Sequence, residues 1–105
     1  MGEDEVFKAL ADPTRRLIID ELTERNGQTL FELCTRLITR HGNASTRQAI
    51  SQHLDALERA GLIHTKREGR YKFHTLDLGP LQRALNRWPV NDLPVNDRPM
   101  NTEGS

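Results

Sequence analysis

Apolar residues recur at helical spacing over roughly the first sixty positions, and then the period changes to two. Val6, Phe7 and Leu10 predict a short first helix from Asp4 to Leu10. Asp12-Pro13 reads as an N-cap with proline at the first helical position, where its missing N–H costs nothing. A second helix follows from Pro13 to about Arg25, with Leu17, Ile18 and Leu22 as its apolar stripe and Asn26-Gly27 as its stop. Leu30, Leu33, Leu37 and Ile38 predict a third helix from near Thr29 to about His41, broken by Gly42-Asn43. Thr46, with Ser45 as competitor, caps a fourth helix whose buried stripe is Ile50, Leu54 and Leu57, ended by Gly61.

Beyond Gly61, residues Leu62 to Arg67 and Arg70 to Leu76 read as two strands joined by a turn at Glu68-Gly69. Tyr71 and Phe73 are the expected hairpin core. Leu78, Leu81, Leu85 and Trp88 then predict a fifth helix from about Leu78 to Trp88. The fold class is therefore mainly α with one small β-hairpin, in the order α-α-α-α-β-β-α. That is a winged helix-turn-helix. Residues 1–88 form its domain. Residues 89–105, with the near-repeat Pro89-Val90-Asn91-Asp92 and Pro94-Val95-Asn96-Asp97, read as a Pro/Asn-rich tail, disordered or loosely docked.

Composition sharpens this picture. The chain has 105 residues, too few for a multi-domain enzyme with its own cofactor domain. Only 35% are hydrophobic, so a second copy would help such a small domain cover its apolar surface. No apolar run is long enough to span a bilayer. The acidic start Met1-Gly2-Glu3-Asp4-Glu5 is not a secretory signal, and Val6 spoils a myristoylation signal. The lone Cys34 has no partner for an internal disulfide. The expected location is the cytoplasm.

The formal net charge is zero, yet the charges are segregated. Residues 1–24 hold seven acidic and three basic side chains, net −4, whereas residues 59–74 hold five basic and one acidic, net +4. A hairpin carrying Lys66, Arg67, Arg70 and Lys72 attracts a phosphate backbone, although a solvated basic hairpin has the same composition. An α-helix beside it fits a major groove. On the fourth helix, the polar face offers Arg47, Gln48, Ser51 and Gln52 to bases or phosphates, near the N-terminal cap Thr46. His53 either donates to a DNA phosphate or packs beneath this helix.

Four segments resemble the ArsR/SmtB family of bacterial transcriptional repressors. Residues 7–16, FKALADPTRR, look like its opening signature, and residues 46–54, TRQAISQHL, are similar to its recognition helix. Residues 57–63, LERAGLI, and 67–70, REGR, match the approach to its wing and the wing itself. The resemblance covers roughly residues 5–88. It implies a homodimeric, sequence-specific repressor on an inverted-repeat operator in double-stranded DNA, with no enzymatic activity. It also implies a dimer interface built from the first and last helices, here Val6, Phe7, Leu10, Leu78, Leu81, Leu85 and Trp88.

Two departures qualify the resemblance. The third helix and the turn around residues 39–43 are longer than in typical members. That difference would shift the recognition helix or bring Arg40 and His41 to the DNA backbone. The family's metal ligands are also missing. Cys34 stands alone where arsenic sensors carry several cysteines, and residues 81–88 lack His, Asp and Glu. His41, His53, His64 and His74 have no zinc-site spacing, and Cys34 and His41, seven apart, would lie about 10 Å apart along a helix. No metal or cofactor is expected, and the effector is left open. Two other readings remain: a winged helix that binds a protein, and a repressor with Cys34 as a redox switch.

Overall fold

Three of the helix starts named above, those of the second, third and fourth helices, carry a side-chain cap. We describe residues 3–88 from a computed structural model; Met1, Gly2 and the 89–105 segment with its near-repeat lie outside the described residues. Helix α1 spans Glu3–Leu10 and α2 spans Pro13–Glu24. Asp12 Oδ1 accepts from the Thr14 amide at 2.8 Å and the Arg15 amide at 3.1 Å, and Pro13 begins the helix. Helix α3 spans Leu30–His41. Its cap Thr29 accepts from the Glu32 amide at 3.2 Å, while Glu32 Oε1 accepts from the Thr29 amide at 2.9 Å, a reciprocal capping box. Gly42 closes α3 with φ +64°, a left-handed conformation that glycine adopts without steric cost.

Helix α4 spans Arg47–Arg59. The choice between Ser45 and Thr46 falls to Thr46, whose Oγ1 accepts from the Ala49 amide at 3.0 Å. Ser45 turns back instead, its amide and hydroxyl both donating to Asn43 Oδ1. Strands β1 (Ile63–Glu68) and β2 (Tyr71–Leu76) pair antiparallel, with Ile63 opposite Leu76 and Arg67 opposite Lys72. Helix α5 spans Gly79–Leu85, shorter than the spacing predicts. Leu78 is its N-cap, and residues 86–88 run in turns. Trp88 precedes Pro89, and a residue before proline is driven away from helical ψ.

The core lies where α2, α3 and α4 meet the hairpin base. Ile18, Leu22, Leu33, Leu37, Ile50, Leu57, Leu62 and Ile63 are almost wholly buried, with Val6 and Ala9 from α1 beside them. Each buried helical set follows the 3.6-residue period. Two apolar positions on α3 escape it: Phe31 and Ile38 are exposed. Ile38 belongs to the apolar period that predicts α3, but only Leu33 and Leu37 of that period are buried. Among the described residues no helix is long and apolar enough to cross a membrane.

Candidate nucleic-acid interface

The hairpin is fixed to the body by the turn between α2 and α3. Gln28 is wholly buried and exchanges backbone hydrogen bonds with His74, at 3.2 and 2.8 Å. Its side-chain amide donates to the carbonyls of Glu21 (3.1 Å) and Arg25 (2.8 Å). Asn26 Oδ1 accepts from the Leu76 amide at 2.8 Å. Residues 26–28, readable in sequence only as a helix stop, thus set the angle of the wing. Thr65 adds a bond to Glu58 of α4 at 3.1 Å.

Register decides which hairpin residues face inward. Ile63, Thr65 and Arg67 share a face with Leu76, His74 and Lys72, and Ile63 and His74 are buried. Tyr71 and Phe73 therefore fall on the opposite face with Lys66, so the expected hairpin core is corrected: Tyr71 is exposed and Phe73 half-buried. A strand alternates strictly, and the sequence offers two interleaved sets one residue apart. Ile63 and Leu76, which join the main core, select the second. Burial and the Lys72 charge lower the pKa of His74 despite the opposing Glu58 and Asp55 charges, which favours the neutral ring.

A cleft of about 540 Å³ opens between the start of α3, the outer face of α4 and the inner side of the wing. Arg47 and Ser51 line it from α4, and Arg67, Arg70 and Lys72 line it from the wing. Exposed Phe31 and Tyr71 stand at its edge, with Asp55, Glu58 and His74 also on its wall. Gln48 and Gln52 are exposed on α4, and Thr46 is the exposed cap. Lys66 does not join this group: it lies on the other hairpin face, 3.5 Å from Glu68.

His53 is half-buried on α4, on the side of Asp12. Burial opposes the Asp12 charge, but the Arg15 and Thr14 amides with His53 and Arg15 outweigh it and lower the carboxyl pKa. Burial likewise pushes the Cys34 thiol up, against the nearby Arg47 charge, and so favours the unreactive protonated form. Among the described residues no three His, Cys, Asp or Glu side chains converge as a metal site.

The second half of α3 carries an ion-pair clamp onto α2. Glu21 on α2 is 2% exposed and receives Arg36 Nε, Arg40 Nε at 3.1 Å and His41 Nε2 at 2.7 Å. Arg36 and Arg40 also reach Glu24. Arg40 and His41 are thus engaged within the protomer. Burial alone would raise the Glu21 pKa, but the hydrogen bonds from Arg36 and His41 and the charges of Arg36 and Arg40 hold it below the ordinary range. Sequence periodicity gave no sign of this clamp, because a buried charge sits on what otherwise reads as a polar position.

The terminal helices meet on another surface. Phe7 and Trp88 pack with ring centroids 6.4 Å apart, and Arg87 bonds Glu3 at 2.6 Å while lying over the Trp88 ring. Phe7, Leu78, Leu85 and Trp88 remain 37–48% exposed, and Leu10 and Leu81 pack partly against the core. Val6 differs from the others: it is buried inside the protomer, leaving little surface for a partner.

Known proteins are similar to this chain in sequence and in fold. The family model for a helix-turn-helix domain matches residues 10–66. The chain is 52% identical over 87 residues to the uncharacterized HTH-type transcriptional regulator YuzN of Bacillus subtilis (strain 168), covering 83% of this chain and 95% of that one. It is 37% identical over 86 residues to the transcriptional repressor SdpR of the same organism, covering 82% and 87%. Among solved structures, an ArsR-like transcriptional regulator from Rhodococcus sp. RHA1 superposes with a TM-score of 0.68 at 33% identity, over 85% of this chain and 80% of that one.

Proposed function

The chain belongs to the ArsR family of winged helix-turn-helix transcriptional regulators, and from that premise we propose that it is a homodimeric repressor of an inverted-repeat operator. It is a DNA-binding regulator of a non-enzymatic class. The observation that carries the finer reading is the cleft in which Arg47, Arg67, Arg70 and Lys72 converge beside Ser51. Four cations against two carboxylates, Asp55 and Glu58, leave the cleft net positive, as suits a surface that meets phosphates. Helix α4 enters the major groove, with Thr46, Arg47, Gln48, Ser51 and Gln52 at its leading end. The wing tip tracks the backbone. Lys66 and His53 have secondary parts: Lys66 adds a distant charge, and half-buried His53 packs on α4 behind the reading face.

The dimer forms through Phe7, Leu78, Leu85 and Trp88, with Leu10 and Leu81 at the margin. Exposed aromatic and leucine side chains in one patch favour burial against a copy of themselves under two-fold symmetry. Two recognition helices then meet half-sites about one turn, ~34 Å, apart. The same relation to SdpR supports the repressor role, exercised in the cytoplasm. Selection from random duplex DNA at ~150 mM salt tests this, with the protein's mass in solution measured alongside. Enrichment of an inverted repeat bound by a dimer is the expected result. A folded protein that enriches no sequence would replace this reading with a winged helix that binds protein.

A further inference from the structure

A second basic site lies at the far end of α4. A pocket of about 230 Å³ opens between α1, the first turn of α2 and the last turn of α4, lined by Glu5, Lys8, Ala9, Arg15, Ala56 and Arg59. It exists because the facing helices carry alanines, Ala9 and Ala56, where a larger side chain would fill the gap. Arg47 and Arg59 are twelve residues apart on α4, so about 18 Å of helix separates this pocket from the DNA-facing end.

Among the described residues, the pocket's cations form no ion pair of their own. Arg16 donates to the Leu10 carbonyl at 2.7 Å, and Arg87 pairs with Glu3. Among the described residues, the charged side-chain nitrogens of Lys8, Arg15 and Arg59 have no carboxylate oxygen within 4.0 Å, although Asp12 accepts from the Arg15 amide. Arg15 Nε is buried without a hydrogen-bond partner, a costly state for a charged donor. Among the lining residues Glu5 offsets one of the three charges, and Asp12 beside Arg15 offsets part of another, so the pocket stays net positive and suits a phosphate group, which carries about −1.5 to −2 at pH 7. The α4 C-terminus, with its partial negative charge, opposes an anion, and Arg59 in that last turn screens it.

We propose that Lys8, Arg15 and Arg59 form a binding site for a small phosphate-bearing anion. The site touches both α1, which carries the apolar patch, and α4. A regulatory effect on DNA binding would rest on the repressor reading; the binding itself does not.

The test is an amide chemical-shift titration of the full chain with inorganic phosphate, at constant ionic strength against chloride. Saturable shifts at Lys8, Arg15, Ala56 and Arg59 are expected, with half-saturation in the millimolar range or below. They should vanish in a Lys8→Gln/Arg59→Gln variant, whose exposed substitutions leave the core intact. Shifts that fail to saturate, survive in that variant, or appear equally at Arg70 and Lys72 overturn the proposal. So does a result in which duplex DNA moves these amides and free phosphate does not, because the pocket would then belong to the DNA backbone interface.

Discussion

Replacing Arg70 by alanine should change how steeply DNA binding depends on salt. Arg47, Arg67, Arg70 and Lys72 line one cleft, so a dimer presents eight such cations. If each displaces one counterion, the slope of log affinity against log salt is about −7, at ~0.9 per phosphate contact. Arg70→Ala removes two and leaves about −5. Between ~50 and ~200 mM salt, the native protein should then lose about 10⁴-fold in affinity and the variant about 10³-fold. Lys66 is the internal control. It has the same charge and lies on the same hairpin, but it is on the opposite face beside Glu68. Lys66→Ala should leave the slope within about half a unit of the native value. Fluorescence anisotropy with a labelled duplex measures all three, and any sequence serves because this term is independent of sequence. Equal flattening by Lys66→Ala and Arg70→Ala would refute the argument from the cleft. A loss of affinity in Arg70→Ala with the slope unchanged would do the same.

Other consequences are as definite. Gln48→Ala should relax base preference at one operator position by about 1–3 kcal/mol and spare non-specific affinity, as read from a repeated duplex selection; an unchanged preference would remove Gln48 from the reading surface. Glu21→Gln should cost about 2 kcal/mol, less than a fully buried pair because Arg36 and Arg40 can hydrate, and lower Tm by about 10 °C. The folded-state pKa of Glu21 is depressed, so its stabilisation is present above the unfolded value of about 4.3 and is lost as pH falls through the folded value. Melts from neutral to acidic pH should therefore show a flatter acid limb in Glu21→Gln, and parallel curves would contradict the clamp. Trp88→Glu should raise the dimer dissociation constant at least about tenfold, ~1.4 kcal/mol, in sedimentation, with helix content unchanged; a native-like dimer would exclude the α1–α5 patch.

The helices were legible because their information is local. Asp12, Thr29 and Thr46 cap within three residues, and stripes such as Ile50, Leu54 and Leu57 repeat within one helix. What failed was long-range. Whether Tyr71 or His74 faces inward depends on Ile63 and Leu76 joining a core built by α2 to α4. The roles of Gln28 and Asn26 appear only once β2 lies against them. Glu21 reads as a surface charge until Arg36, Arg40 and His41 arrive from fifteen to twenty positions away. At the candidate interface, charge type was legible, but the separation of Lys66 from Arg67, Arg70 and Lys72 was not. It follows from hairpin register, which places alternate side chains on opposite faces.

The most direct test of the account is an amide chemical-shift map of the protein titrated with its selected duplex. The account predicts the largest shifts over residues 46–52 of the α4 leading end and at Arg67, Arg70 and Lys72 of the wing, with Phe7, Leu85 and Trp88 little changed. A map centred on the Phe7–Trp88 surface, with the α4–wing cleft silent, would contradict it.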